Sequence, residues 1–186
     1  MARSRDFDLV TALDAAVSLF WSQGYPATTV RQLCEAMGIQ AGSFYAAFGS
    51  KEACFRQALE RYVETQPLPR EPTVAAICLW MEAVVDPART PRGCLLVDSA
   101  VEHPLLDQES QALVARKLGA MEAFFCRSLG DREGAREDAA LLVAAIVGIH
   151  VRARAGAPTA ALRRLAARAL TAVGLQEEAL QFLNDR

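Results

Sequence analysis

Residues 25–55 read YPATTVRQLCEAMGIQAGSFYAAFGSKEACF, and the order of turn and apolar residues in this stretch decides the fold. Thr29, followed three residues later by Gln32, fits a capping box, in which each side chain satisfies a backbone N–H of the other residue. Leu33 and Met37 stand one helical turn apart and can pack inward. Gly38 ends that helix and permits a tight turn, and Ile39 supplies an apolar plug for it. A second short helix, about Gln40 to Ala47, puts Phe44 and Phe48 on one face at i, i+4 spacing. Gln40, Ala41, Ser43 and Tyr45 are left on the other. A helix with one anchored face and one open face can lie in a DNA major groove. Ser50 is a good N-cap for the helix that follows. The unpaired N–H groups at that helix's start, with Lys51 beside them, suit a phosphate. The pattern is a helix-turn-helix over about Thr29 to Phe48, with Arg3 and Arg5 ahead of it as an arm that can reach DNA.

Helical periodicity extends in both directions. The first helix is expected from about Phe7 to Gln23, with Leu9, Leu13, Ala16, Val17 and Phe20 as its apolar stripe and Gly24 as its stop. After Ser50 a helix runs to about Thr65. Two proline-rich breaks follow, Gln66 to Pro72 and Asp86 to Gly93, which helices cannot cross. Further helices are expected over Thr73 to Val85, Cys94 to about Glu102, Asp107 to about Leu129, Arg136 to Arg154, Pro158 to Val173, and from about Gln176. Alternating apolar and polar runs are absent. The expected class is all-α: residues 1–50 form the helix-turn-helix domain and residues 51–186 a helical effector-binding and dimerisation domain.

The segment from about Phe7 to Leu59 resembles the N-terminal domain of the TetR family of regulators. The residues that carry the resemblance are Gly24-Tyr25, Thr28-Thr29-Val30, Leu33, Gly38-Ile39, Gly42-Ser43-Phe44-Tyr45, Phe48 and Lys51-Glu52. It implies an all-helical homodimer that binds palindromic double-stranded operator DNA, acts as a repressor, and holds a small-molecule effector in its C-terminal body. It also implies phosphate contacts at Tyr45 and Lys51 and close backbone approach at Gly42. The candidate DNA-binding residues are Thr29, Arg31, Gln40, Ala41, Gly42, Ser43, Tyr45 and Lys51. Members often carry a basic residue where this chain has Ala41, and a His or basic residue at Ala46 or Ala47.

Composition narrows the reading. The 186 residues are 52% hydrophobic and 23% charged, which is a globular composition. The net charge is −2, so DNA contact needs a local patch rather than a basic protein. From Met1 to Tyr62 six basic and six acidic residues cancel. Binding should therefore lean on dipoles and hydrogen bonds, with a shallow dependence on salt. Five cysteines without CxxC spacing argue against a disulfide framework or zinc knuckle, and no signal peptide precedes them. The natural compartment is a reducing cytoplasm. The longest apolar run, Ala139 to Val151, is too short to cross a bilayer.

In the body, Leu142, Ile146, Ile149, Leu162, Leu165, Ala169 and Leu170 fall on the apolar sides of two consecutive helices. They suit half of an intersubunit four-helix bundle; the alternative is that they close the monomer's own core. Trp80, Met81, Met121, Phe124 and Phe125 are large enough to line an effector pocket, with His103 and His150 as polar contacts; alternatively they are simply core. Cys94 follows Arg92-Gly93 in the first turn of its helix, where the dipole and Arg92 favour a thiolate. The Gly-Cys-Leu sequence resembles a segment in a TetR subgroup, some of whose members respond to electrophiles or oxidants, although Asp98 departs from that pattern. The alternative is a small buried residue. Cys34 and Cys54 read as packing. No metal, cofactor or catalytic residue is expected: there are two histidines, no Ser-His-Asp set and no ligand pair at telling spacing. A Cys94–His dyad is the sole enzyme reading, and a helical interaction module without DNA binding is the third class.

Overall fold

The computed structural model describes residues 7–66, 68–88 and 93–184. Among them are ten α-helices and one short 3-10 turn: α1 Leu9–Gln23, α2 Val30–Met37, α3 Ala41–Phe48, α4 Lys51–Thr65, α5 Val74–Val85, α6 Leu95–Val101, the 3-10 turn His103–Leu105, α7 Gln108–Leu129, α8 Ala135–Arg154, α9 Thr159–Ala172 and α10 Gln176–Asn184. The expected all-α class holds. The arm residues Arg3 and Arg5, and Arg92 beside Cys94, lie outside the described residues.

The chain divides into two compact units, Met1–Pro67 with Asp98–Ala115, and Leu68–Val97 with Arg116–Arg186. In the first, α1 packs chiefly on α4 and on α2. Its fully buried residues are Ala12, Ala16 and Phe20. Ala16 and Phe20 of the expected stripe are thus buried and Ala12 joins them, while Leu9, Leu13 and Val17 are half-buried. Phe20 meets Phe55 edge-on at 5.1 Å, and Phe55 meets Tyr25 at 4.9 Å. Each buried aromatic ring contributes about 1.5–3 kcal/mol by leaving water, so this cluster fixes α4 under the α1–α2 turn.

In the second unit α5 packs on α8 and α9, α8 on α9, and α9 on α10. Thr73 caps α5 by accepting the Ala76 N–H at 3.1 Å. Arg163 lies over the Phe182 ring at 4.7 Å and donates to that residue's carbonyl, which ties α9 to α10. The side chains expected to meet a second chain are mostly core here. Leu142, Ile146, Ile149, Leu162, Ala169 and Leu170 are all buried within one protomer, and Leu165 is half-buried. Neighbouring helices of the same chain pack on α8 and α9. The faces left open are Ala140, Leu141, Ala144 and Val151 on α8, and Ala160, Arg164, Arg168 and Ala172 on α9.

Candidate nucleic-acid interface

Helix α2 begins on a complete capping box. Thr29 Oγ1 accepts the Gln32 N–H at 3.2 Å, and Gln32 Oε1 accepts the Thr29 N–H at 2.9 Å. The Thr29 side chain is therefore occupied in the cap. Helix α2 ends at Gly38 in the left-handed region, φ 67° and ψ 30°. There the Ile39 N–H reaches back to the Cys34 carbonyl at 3.0 Å. A Cβ at Gly38 would meet nothing within 4 Å, so the glycine is required by backbone angle and not by space.

Helix α3 is anchored by Phe44 and Phe48, both buried, with rings 5.2 Å apart. Its other side is open. Gln40, Ala41, Gly42 and Ser43 are exposed, and Tyr45 is 54% exposed, edge-on to Phe44 at 5.4 Å. Gly42 has ordinary helical backbone and open space where a Cβ would stand. Glycine inside a helix costs about 1 kcal/mol relative to alanine, and nothing within this unit demands it. An open cavity of about 420 Å³ flanks the start of α3, lined by Arg31, Cys34, Glu35, Gly38, Ile39, Gln40 and Ala41. Arg31 pairs with Glu35 across one turn of α2 at 2.9 Å.

Lys51, expected at a phosphate, also makes contacts within the unit. Its ammonium donates to the Tyr25 carbonyl at 2.8 Å and the Thr28 carbonyl at 2.7 Å, and it lies 4.1 Å from the Tyr25 ring centre. Two of its three N–H groups therefore close the α1–α2 turn, leaving at most one for a phosphate. Desolvation lowers its pKa, against the opposing pull of Glu52 and Glu102. Tyr25 is a junction that the sequence reading missed. Its hydroxyl donates to Glu52 at 2.9 Å, and its backbone N–H donates to Glu102, 77 positions away, at 2.9 Å. Burial and Glu52 push the phenol well above its ordinary range. Arg56 is likewise engaged, with Asp107 at 2.6 Å and Glu109 at 2.8 Å.

The candidate effector residues divide between the two units. Trp80, Met81, Cys94, Met121, Phe124, Phe125 and His150 belong to the second, and His103 to the first. Met81, Met121, Phe124, Phe125 and His150 are buried; Trp80, Cys94 and His103 are half-buried. Among the described residues, Trp80 Nε1 and His150 Nδ1 are buried with no hydrogen-bond partner. Burial pushes the His150 imidazole down to about 4. Helix α6 starts at Leu95, so Cys94 stands just ahead of the first turn rather than in it. None of the five cysteines is in a disulfide. Burial raises the thiol pKa of Cys34, that of Cys54 to about 12, and that of Cys78 to about 11. Among the described residues no cluster of three or more His, Cys, Asp or Glu could hold a metal ion, and no helix is long and apolar enough to cross a membrane.

A capped α2, a glycine turn and an α3 with one free face define a helix-turn-helix protein. The sequence profile of bacterial regulatory proteins of the tetR family matches residues 12–58. The transcriptional repressor ComR of Escherichia coli (strain K12) is 36% identical over 108 residues, 52% of this chain and 51% of ComR. The repressor BdcR of the same organism is 32% identical over 112 residues, 54% of this chain and 56% of BdcR. The chain thus spans about half the length of these curated relatives. A solved structure of the TetR-family regulator CifR, a cysteine mutant complexed with 26-bp double-strand operator DNA, is 31% identical with a TM-score of 0.78, covering 91% of this chain and 99% of that one. The chain belongs to the TetR family of transcriptional regulators.

Proposed function

We propose that this protein is a homodimeric transcriptional repressor that binds a palindromic operator and is released by a small hydrophobic or electrophilic molecule. The observation that carries the reading is α3, anchored by Phe44 and Phe48 with Gln40, Ala41, Gly42, Ser43 and Tyr45 open to a partner. Residues 1–50 serve as the DNA-binding domain and residues 51–186 as the effector and dimerisation domain, in the cytoplasm, without cofactor or metal. The relatives described above are named as regulators, which supports leaving catalysis out. A two-fold dimer sets two recognition helices about one DNA turn apart, and the open faces of α8 and α9 supply its surface. An effector acts by binding more tightly to the form that does not fit the operator. Trp80 Nε1 and His150 Nδ1, polar and without a partner among the described residues, favour an effector that offers hydrogen-bonding groups in an otherwise apolar setting.

Fluorescence anisotropy tests the proposal, comparing the duplex upstream of the protein's own gene with a scrambled duplex of equal length. Tight binding to the first alone supports it. Binding to neither removes DNA recognition and leaves a helical interaction module. A thiol reaction at Cys94 is a second route to release, favoured by its half-buried place directly before α6. Slow alkylation of Cys94 by iodoacetamide, at the rate of an unperturbed thiol, would remove that route.

A further inference from the structure

We propose that Glu35 is an internal competitor for DNA phosphate: it holds the Arg31 guanidinium in an ion pair that the duplex must displace, and so sets the salt-dependent part of DNA affinity. The inference rests on the DNA-binding reading above.

Residues 7–66 contain four basic side chains, and each is engaged. Lys51 closes the α1–α2 turn through two carbonyls. Arg56 bridges Asp107 and Glu109 and is only 24% exposed. Arg61 reaches both oxygens of Asp14, at 2.9 and 3.3 Å, joining α4 to α1. Those three side chains link separate segments, so releasing any of them loosens the unit. Arg31 differs. Its pair lies within α2, one turn apart, with side chains 88% and 62% exposed. Such pairs are weak and readily exchanged. Both residues also line the open cavity beside the start of α3, together with Gln40 and Ala41.

A phosphate entering from that side can replace the single Nε–Oε1 contact of Glu35 on Arg31 with a bidentate, charge-assisted one. The displaced carboxylate then faces the incoming negative charge. Neutralising Glu35 removes the competitor and the repulsion together. Bulk charge alone would give a similar gain whether Arg31 is present or not, which makes Arg31 the discriminating partner.

The experiment is anisotropy of the full-length chain on the upstream and scrambled duplexes between 50 and 200 mM salt, for wild type, Glu35→Gln, Arg31→Gln and the double variant. Glu35→Gln is expected to tighten binding about threefold to tenfold near 0.1 M salt and to steepen the log–log salt slope by about one. Arg31→Gln in the same background is expected to abolish both effects. An unchanged slope in Glu35→Gln, or an equal gain in the double variant, overturns this inference while wild-type binding keeps the DNA reading intact. Wild-type binding to neither duplex overturns both.

Discussion

The Glu102 carboxylate accepts the Tyr25 backbone N–H at 2.9 Å, and its other oxygen occupies the space that a Cβ on Gly24 would need, 2.1 Å from where that carbon would stand. Gly24 also sits at φ 82°. The α1–α2 turn is thus glycine for two reasons, backbone angle and carboxylate approach. Gly24→Ala should cost more than the ordinary glycine penalty, about 2 kcal/mol or more, because strain at the positive φ adds to displacing the Glu102 carboxylate from the Tyr25 N–H. Glu102→Ala should cost about 1–2 kcal/mol by leaving the Tyr25 N–H unpaired. Thermal unfolding checks both. A Gly24→Ala variant as stable as wild type would mean that the turn relaxes freely.

Lys51→Met should act on the fold before it acts on DNA. It removes two charge-assisted bonds to carbonyls of the α1–α2 turn, worth about 1.5–3 kcal/mol each at most, and a cation resting on the Tyr25 ring. The expected outcome is a clear fall in melting temperature with weakened operator binding. A variant with unchanged melting and a salt slope reduced by about one would return Lys51 to a plain phosphate contact.

These two sites show where sequence was sufficient and where it was not. The Thr29–Gln32 box, the Gly38 turn, the Phe44/Phe48 anchor and the Ser50 cap were all legible, because each depends on residues within a few positions of one another. Helix α1 was legible as a helix, with Ala16 and Phe20 of its expected stripe buried, and Ala12 joins them. Reading large apolar residues as the core overlooks a small one such as Ala12. The stripes of α8 and α9 were legible as apolar, yet periodicity does not say whether their cover is the same chain or another. The Glu102–Tyr25 bond joins positions 77 apart, and no local pattern announces it. The Arg31–Glu35 spacing was readable, but its weight emerged only when the other cations proved to be engaged.

Tyr45 separates folding from binding. The residue is 54% exposed, and its ring lies edge-on to Phe44. Tyr45→Ala should lower stability by no more than about 1 kcal/mol. On the proposed DNA-binding reading, in which Tyr45 meets a phosphate, it should weaken operator binding tenfold or more. Tyr45→Phe isolates the hydroxyl and should fall between. Parallel losses of melting temperature and affinity in Tyr45→Ala would instead mark it as structural.

His150 gives the molecule an acid limit whose sign can be worked out. Its imidazole is buried neutral, with a pKa pushed from 6.5 to about 4. Above about pH 6.5 the folded and unfolded chains both hold it neutral, and its contribution is flat. Between 6.5 and about 4 the unfolded chain binds a proton that the folded protein refuses, so stability falls as pH falls. A shift of that size is worth about 3 kcal/mol once pH drops below both values, and about 2 kcal/mol at pH 5. The measurement is a difference: denaturant melts of wild type and His150→Leu at pH 7 and pH 5. Wild type should lose about 2 kcal/mol more than the variant over that interval. Equal losses would show that the imidazole is solvated in solution, and the second unit would then open near α8 more readily than its packing implies.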